Sequence, residues 1–333
     1  MRSLHIGHAE DPDGILAKAL AMRYHQGDHT DHILVRYDRM VEQFQNAVTL
    51  AQKYNYDSIE IADIDLNIQL QRAAGENLSL LEKLSRTGKV LWFDHHDGTK
   101  EQISKLAQIE IEVHHDPNQC AALLYQRHFS MNDPYEQQLA KIAQAHDYKN
   151  DSSDHPNIQI GDELEKVIAV ANETLNYRLL LDLSIDLANE TCFDRNFQLV
   201  PKWQHYARDF DLRAPAAYLE LDKSAEIVTV GNHKILFGYS PALLSPKNGP
   251  IRLRRDYKDN ADLFVCLFKS PARNHLVLKN ESSPFPVIDF SRALGGGGRG
   301  NGGGFTLDYD ITSENYNSVK QMLFSQIERH SQK

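Results

Sequence analysis

The chain has 333 residues, 41% hydrophobic and 25% charged, which suits about two domains and excludes a disordered chain. No run approaches the roughly 18 uninterrupted apolar residues that a membrane helix needs, and the opening MRSLHIGHAEDPDG is too polar for a secretory signal, so a cytoplasmic location is expected. With 36 Lys+Arg against 46 Asp+Glu, the net charge of −10 opposes adhesion to long nucleic acid.

The first half alternates short apolar runs with longer segments of helical spacing. Strands are expected at 3–6, 33–37, 58–62, 90–93 and 109–113. Between them, Ile15, Leu16, Ala19, Leu20 and Tyr24 make one helical face. Met40, Phe44, Val48, Leu50 and Ala51 make a second, and Leu78, Leu80, Leu81 and Leu84 a third. Such alternation implies a parallel sheet covered on both faces, with ligands at the carboxyl ends of its strands. From 118 to about 188 the pattern is helical, with Pro134 opening a helix that reaches His146. Residues 189–214 read as a connector that could serve as a hinge. Strands return at 225–230, 234–237 and 263–268, followed by the glycine-rich run at 295–304 and an amphipathic helix over about 314–327.

Four polar clusters sit at the ends of elements. The first, His8-Ala-Glu10-Asp11-Pro-Asp13-Gly14, gathers three carboxylates and an imidazole, which repel unless a cation neutralises the acids. Oxygen and imidazole together suit an ion like Mn2+. Asp13 and Gly14 equally fit a helix cap and its turn. The second, Asp63-Ile-Asp65, is a carboxylate after a strand, a common turn former. The third, Asp94-His95-His96-Asp97, lets one ring take metal while its neighbour meets substrate, with the flanking acids orienting the rings. In the fourth, Ala145-His146-Asp147-Tyr148, His146 fits a helix C-terminus and Asp147 adds another carboxylate. The glycine run would let backbone N–H groups turn towards an anion, though a flexible linker has the same composition. No Gly-Lys-Ser/Thr follows it, so it is not a P-loop.

Taken in order, these clusters resemble the metal-site motifs of the DHH phosphoesterases. Leu276-Val-Leu-Lys279, Val287-Ile-Asp-Phe and Gly296-Gly297-Gly298-Arg299 resemble the DHH-associated domain that follows them. The resemblance implies an α/β fold: a parallel-sheet DHH domain over 1–188, a connector over 189–214, and a smaller α/β substrate-binding domain over 215–333, with a catalytic cleft between the two domains. It implies two Mn2+ ions, with Mg2+ as substitute. His8, Asp11 and Asp63 would hold one ion; Asp13, His95 and Asp147 would hold the other, with Asp63 bridging. His96 and Asp63 would be the catalytic residues, His96 meeting the scissile phosphate. Substrate contacts would come from His96, Lys279, Gly296, Gly297, Gly298 and Arg299. Glu10 rivals Asp11, and Asp65 rivals Asp63. Arg299 stands where the family usually has His, and Lys279 where it has Arg; the expectation is that phosphate binding is kept and substrate preference changed.

The expected activity is hydrolysis of phosphodiester bonds in short oligonucleotides or dinucleotides, as in the exonuclease and oligoribonuclease members. The alternatives are a phosphatase acting on a 3′-phosphorylated nucleotide or on pyrophosphate or polyphosphate, and a nucleotide-binding regulator. Neither a membrane nor long duplex DNA is an expected partner, and a homodimer is compatible with the sequence. Charge supports a division of labour: residues 251–333 carry 12 Lys+Arg and 9 Asp+Glu, net +3, leaving −13 for 1–250. Four other features are set aside. His114-His115-Asp116 imitates the Asp-His-His site without a place in the family order. His25, His29 and His32 read as solvated loop residues. The aromatic stretch 203–210 reads as packing, and the three distant cysteines make no disulfide framework.

Overall fold

Leu4 and Ile6 alternate along β1 (Arg2–His8) with the buried polar residues Ser3 and His5, so this strand has no solvent face and becomes the centre of a sheet. The computed structural model describes residues 1–66, 78–148, 155–244 and 248–331, and the backbone alone at Asn274 and Arg299. It divides into two units, Met1–Ala171 with Asn176–Asp209, and Asn172–Leu175 with Phe210–Lys333.

In the first unit β1 is joined by β2 (His29–Val35), β3 (Ser58–Ala62), β4 (Lys89–Asp94) and β5 (Ile111–His115). The sheet is parallel throughout, in the order β2-β1-β3-β4-β5. Its helices are α1 (Pro12–Tyr24), α2 (Met40–Tyr54), α3 (Ser79–Ser85), α4 (Asp97–Gln108), α5 (Ala121–His128), α6 (Pro134–Asp147), α7 (Pro156–Glu173) and α8 (Tyr177–Ala188), and α9 (Pro201–Ser224) crosses the unit boundary. One face of the sheet packs Phe93 with Leu16, Tyr125, Leu139 and Trp203; the other packs Trp92 with Phe44, Leu81 and Leu106. β2 and β3 lie on opposite sides of β1, so the strand order reverses there, and in parallel sheets such a reversal marks where ligands meet the carboxyl ends of the strands.

The second unit holds β6 (Glu226–Val230), β7 (His233–Ser240), β8 (Leu263–Phe268), β9 (Asn274–Lys279), β10 (Gly297–Arg299) and β11 (Gly302–Thr306). They form one sheet in the order β10-β11-β9-β8-β7-β6, in which the β7–β8 pair is parallel and the others antiparallel. With α10 (Asn248–Tyr257), α11 (Val287–Ala293) and α12 (Tyr316–Ser331), it makes a mixed α/β unit around Phe237, Phe285, Phe290, Phe305 and Leu323. No described helix is long and apolar enough to cross a membrane. Cys120, Cys192 and Cys266 are free and buried.

Several local expectations need correction. The second strand begins four residues early, at His29, because an edge strand tolerates the polar His-Thr-Asp-His run while pairing with β1. The fifth begins late, at Ile111, because Ile109 caps α4 and Glu110 turns through a left-handed conformation (φ 60°). His25 is not solvated: it caps α1, is buried, and its Nε2 lies 2.7 Å from Glu60 Oε1. His29 and His32 belong to β2, and burial pushes the His32 imidazole down to about 3. The glycine run is no open loop but a hairpin, with Gly297 opposite Gly304, Gly298 opposite Gly303 and Arg299 opposite Gly302. Trp203 and Phe210 are buried, as packing residues should be.

Candidate metal centre

The carboxyl ends of β1, β3 and β4 deliver the polar residues to one place. β1 ends on His8, and the chain turns at once into α1, whose N-cap is Asp11 and whose first helical residue is Pro12. Gly14 permits the tight turn, since a Cβ there would overlap the His8 carbonyl. Asp11 divides its work: Oδ1 accepts the Gly14 N–H at 3.2 Å, and Oδ2 lies 3.5 Å from His8 Nδ1. The cap is therefore Asp11 and not Asp13, which lies inside the first turn of α1 because Pro12 already opens the helix.

Asp63 follows β3 directly and adopts a left-handed backbone, φ 58°. That conformation is costly for most residues and tolerated by Asp. Its N–H donates to the Phe93 carbonyl at 3.0 Å, fixing the bend. The carboxylate then faces two imidazoles, with Oδ2 3.2 Å from His8 Nδ1 and Oδ1 3.6 Å from His95 Nε2. Burial, with Asp11 and Asp13 nearby, raises the Asp63 carboxyl well above the usual range. The same causes, led by burial and then Asp147, push Asp13 up to about 7.

His95 shows how its ring is set. The Tyr148 hydroxyl donates to the Pro117 carbonyl at 2.8 Å, so it accepts from His95 Nδ1–H at 2.9 Å. In the neutral ring this leaves Nε2 as the acceptor, on the side of Asp63. Asp147 Oδ2 stands 3.4 Å from His95 Nδ1. His96 turns the other way: its Nδ1 is 2.7 Å from Asp94 Oδ1. Burial alone would lower the His96 imidazole, but Asp94 outweighs it and lifts the ring to about 10. The His96 carbonyl accepts from His115 Nε2 at 3.0 Å.

These residues form two overlapping groups able to hold a cation: His8, Asp11 and Asp63, and Asp63, Asp94, His95 and His96. Asp63 belongs to both. Fit to divalent ions is supported by two features: the buried acids, and His8 Nε2, which is buried, makes no hydrogen bond and lies 3.5 Å from Glu10 Oε2. The two rivals have other engagements. Glu10 Oε2 accepts the Tyr37 N–H at 3.0 Å and lies 3.5 Å from His8 Nε2, as near that ring as Asp11. Asp65 Oδ1 accepts the Thr99 N–H at 3.1 Å, supplying α4 with the cap that His96, its N-cap residue, does not. Asp13 receives the Ala121 and Ala122 N–H groups on its two oxygens at 2.8 and 2.9 Å, at the start of α5.

The other expected contacts lie in the second unit. Gly296, Gly297, Gly298 and the Arg299 backbone run along the hairpin, and the Arg299 side chain lies outside the description. The Lys279 backbone N–H donates to Asn301 at 2.8 Å beside that hairpin, and its ammonium donates to the Ser283 carbonyl at 3.1 Å. Sequence reasoning assigned no part to Tyr148, although its position after Asp147 placed it within reach. It also set aside His115, whose contact with His96 is between neighbouring strands and invisible in one dimension.

No family model matches the chain, and no curated protein matches it. Solved structures do. The exonuclease RecJ bound to manganese is 13% identical, over 98% of this chain and 90% of its own, with a TM-score of 0.59. RecJ in complex with Mg2+ from Thermus thermophilus is 12% identical, over 98% of this chain and 50% of its own, with a TM-score of 0.54. An exopolyphosphatase-related protein from Bacteroides fragilis is 13% identical, over 99% and 93%, with a TM-score of 0.48. The likeness is one of fold: five parallel strands in the order β2-β1-β3-β4-β5 followed by a mixed α/β unit make this chain similar in architecture to the RecJ exonuclease.

Proposed function

We propose that this chain is a DHH phosphoesterase, a Mn2+-dependent hydrolase of phosphodiester bonds in short oligonucleotides or dinucleotides, working in the cytoplasm. The observation that carries the reading is Asp63, one strained, buried carboxylate shared by two groups of metal-ligating side chains. His8, Asp11 and Asp63 would hold one ion, and Asp63, Asp13, His95 and Asp147 the other. Bound together, two divalent ions supply Lewis acidity towards a phosphate and make water nucleophilic near neutral pH. RecJ solved with manganese and with Mg2+ supports the choice of ion.

The chain's own residues do the rest. Tyr148 fixes the His95 tautomer. Asp94 holds His96 through Nδ1, which leaves Nε2 on the far side of the ring to meet a phosphate oxygen in the substrate. Helix α4 starts at the next residue and adds the positive end of its dipole. In the second unit, Gly296, Gly297, Gly298, Arg299 and Lys279 would bind a further phosphate. The negative charge of the chain favours short substrates, since long strands need an extended basic groove.

The test is Mn2+-dependent release of mononucleotide from 5′-labelled RNA and DNA dinucleotides and longer oligomers, beside Asp63→Ala. Cleavage that falls with length and vanishes in the variant is expected, with the label reporting polarity. No cleavage at any length, with Mn2+ binding intact, would overturn the oligonucleotide reading in favour of phosphorylated mononucleotides, pyrophosphate or a binding role.

A further inference from the structure

A third polar cluster lies away from these ligands, on edge strand β5. Glu112 and His114 are two residues apart, so the pleat sends both side chains to one face. His128, the last residue of α5, reaches the same face from the helix above. The His114 ring stacks on Phe93, its partner across β4, with centroids 4.9 Å apart and planes inclined by 14°. The His128 ring sits 4.1 Å from the His114 ring. One donor atom from each of Glu112, His114 and His128 lies within 4.8 Å of the other two.

Hydrogen bonding leaves this cluster unfinished. His114 Nε2 is buried and stands 2.9 Å from Glu112 Oε1, but lacks the alignment of a hydrogen bond. The other Glu112 oxygen, Oε2, is held 2.9 Å from Lys89 Nζ, which orients the carboxylate and leaves Oε1 towards the imidazoles. Two rings this close cannot both carry a proton cheaply. Burial first, then His128, holds His114 below its ordinary value, in the neutral form that a metal requires.

We propose that Glu112, His114 and His128 form a Zn2+ site, separate from the acid-rich centre and tying β5 to α5. Two imidazoles and one carboxylate suit zinc, whereas Mg2+ and Ca2+ prefer oxygen alone. Three protein ligands leave a fourth position for water or an incoming group. Bond lengths of about 2.0–2.2 Å need the donors drawn closer together. Glu112 and His128 both stand at exposed positions, where solvent leaves room for a small side-chain shift, and Glu112 can make it while Oε2 keeps Lys89; His114 is anchored by Phe93.

The test counts zinc on the metal-stripped full chain, by elemental analysis after desalting and by calorimetric titration with Zn2+ alone. His128→Ala and Glu112→Gln should each bind one equivalent fewer than the unmodified chain, or bind it at least about tenfold more weakly. Asp63→Ala should keep that equivalent while losing ions of the other centre. Zn2+ should raise the melting temperature of Asp63→Ala and not that of Asp63→Ala/His128→Ala. If His128→Ala proves less stable in EDTA, Glu112→Gln, which preserves shape, decides. Equal zinc stoichiometry and affinity in the unmodified chain and Glu112→Gln would overturn the site.

Discussion

Glu10, Asp11, Asp13, Glu60, Asp63, Asp65, Asp94 and Glu165 are all buried in the first unit, whereas among the described residues of the second unit no carboxylate is. Both units nonetheless build a sheet with helices around an apolar interior, the second around Phe237, Phe290 and Phe305. A sheet packed on helices therefore does not need buried acids, and removing a charge from water costs stability unless partners restore what hydration supplied. Glu60 has such partners: His25 at 2.7 Å, the Tyr125 hydroxyl at 2.7 Å and the Ser58 hydroxyl at 3.0 Å. Asp63, just past the end of the same strand, instead meets the imidazoles of His8 and His95, with the carboxylates of Asp11 and Asp13 close by. Around one strand, then, one acid is satisfied by hydroxyl and imidazole partners, and the other is the acid that our proposal gives to a cation.

The sharpest way to break this contrast is Asp63→Ala, which should weaken Mn2+ binding by more than about 100-fold, beyond the usual cost of an outer-shell change. It should also abolish hydrolysis, as read by calorimetry and product release. Asp94→Asn should leave Mn2+ stoichiometry intact but lower kcat by about 10- to 100-fold, because His96 loses the group that orients it. Lys18 probes the cost of burial in the same unit. Only 1% exposed, its ammonium is pushed by burial down to about 7 from 10.5. Between those values the unfolded chain holds a proton that the folded chain has released, so this residue makes stability rise with pH across that window. Lys18→Met should remove the slope and stabilise the protein by about 1–4 kcal/mol near neutral pH, less in alkali, as measured by urea unfolding across pH. The second unit is instead sensitive to shape. Gly296→Ala would drive a Cβ into the Gly304 carbonyl and should cost about 1–3 kcal/mol. Gly304→Ala meets Leu276 at an ordinary 3.6 Å and should cost less than about 1 kcal/mol, a difference a melting curve can resolve.

Periodicity was enough to place the parallel sheet, because strands buried on both faces are short continuous apolar runs that stand out against helical spacing. It failed at the edges, where β2 and β5 carry polar residues and look like loops. The glycine hairpin escaped for a related reason: strands without side chains have no pattern to read, and their pairing is visible only as backbone hydrogen bonds. At the site, the order of His8, Asp11, Asp63, His95 and Asp147 was legible as motifs. The left-handed turn at Asp63, the tautomer set by Tyr148 and the His115 contact were not, since each depends on chain segments brought together by folding. Glu112, by contrast, gave no sign beside its histidines that His128 would meet it.

The bend at Asp63 also restricts which descendants of this sequence can survive there. Asn tolerates the same backbone and can arise from an Asp codon by one base change, so Asp63→Asn removes a charge while preserving the turn. Glu keeps the charge but suits the turn poorly and reaches one carbon further. A lineage could thus pass through asparagine here without first losing its fold, whereas glutamate, also one base change away, would keep the charge at the expense of the turn.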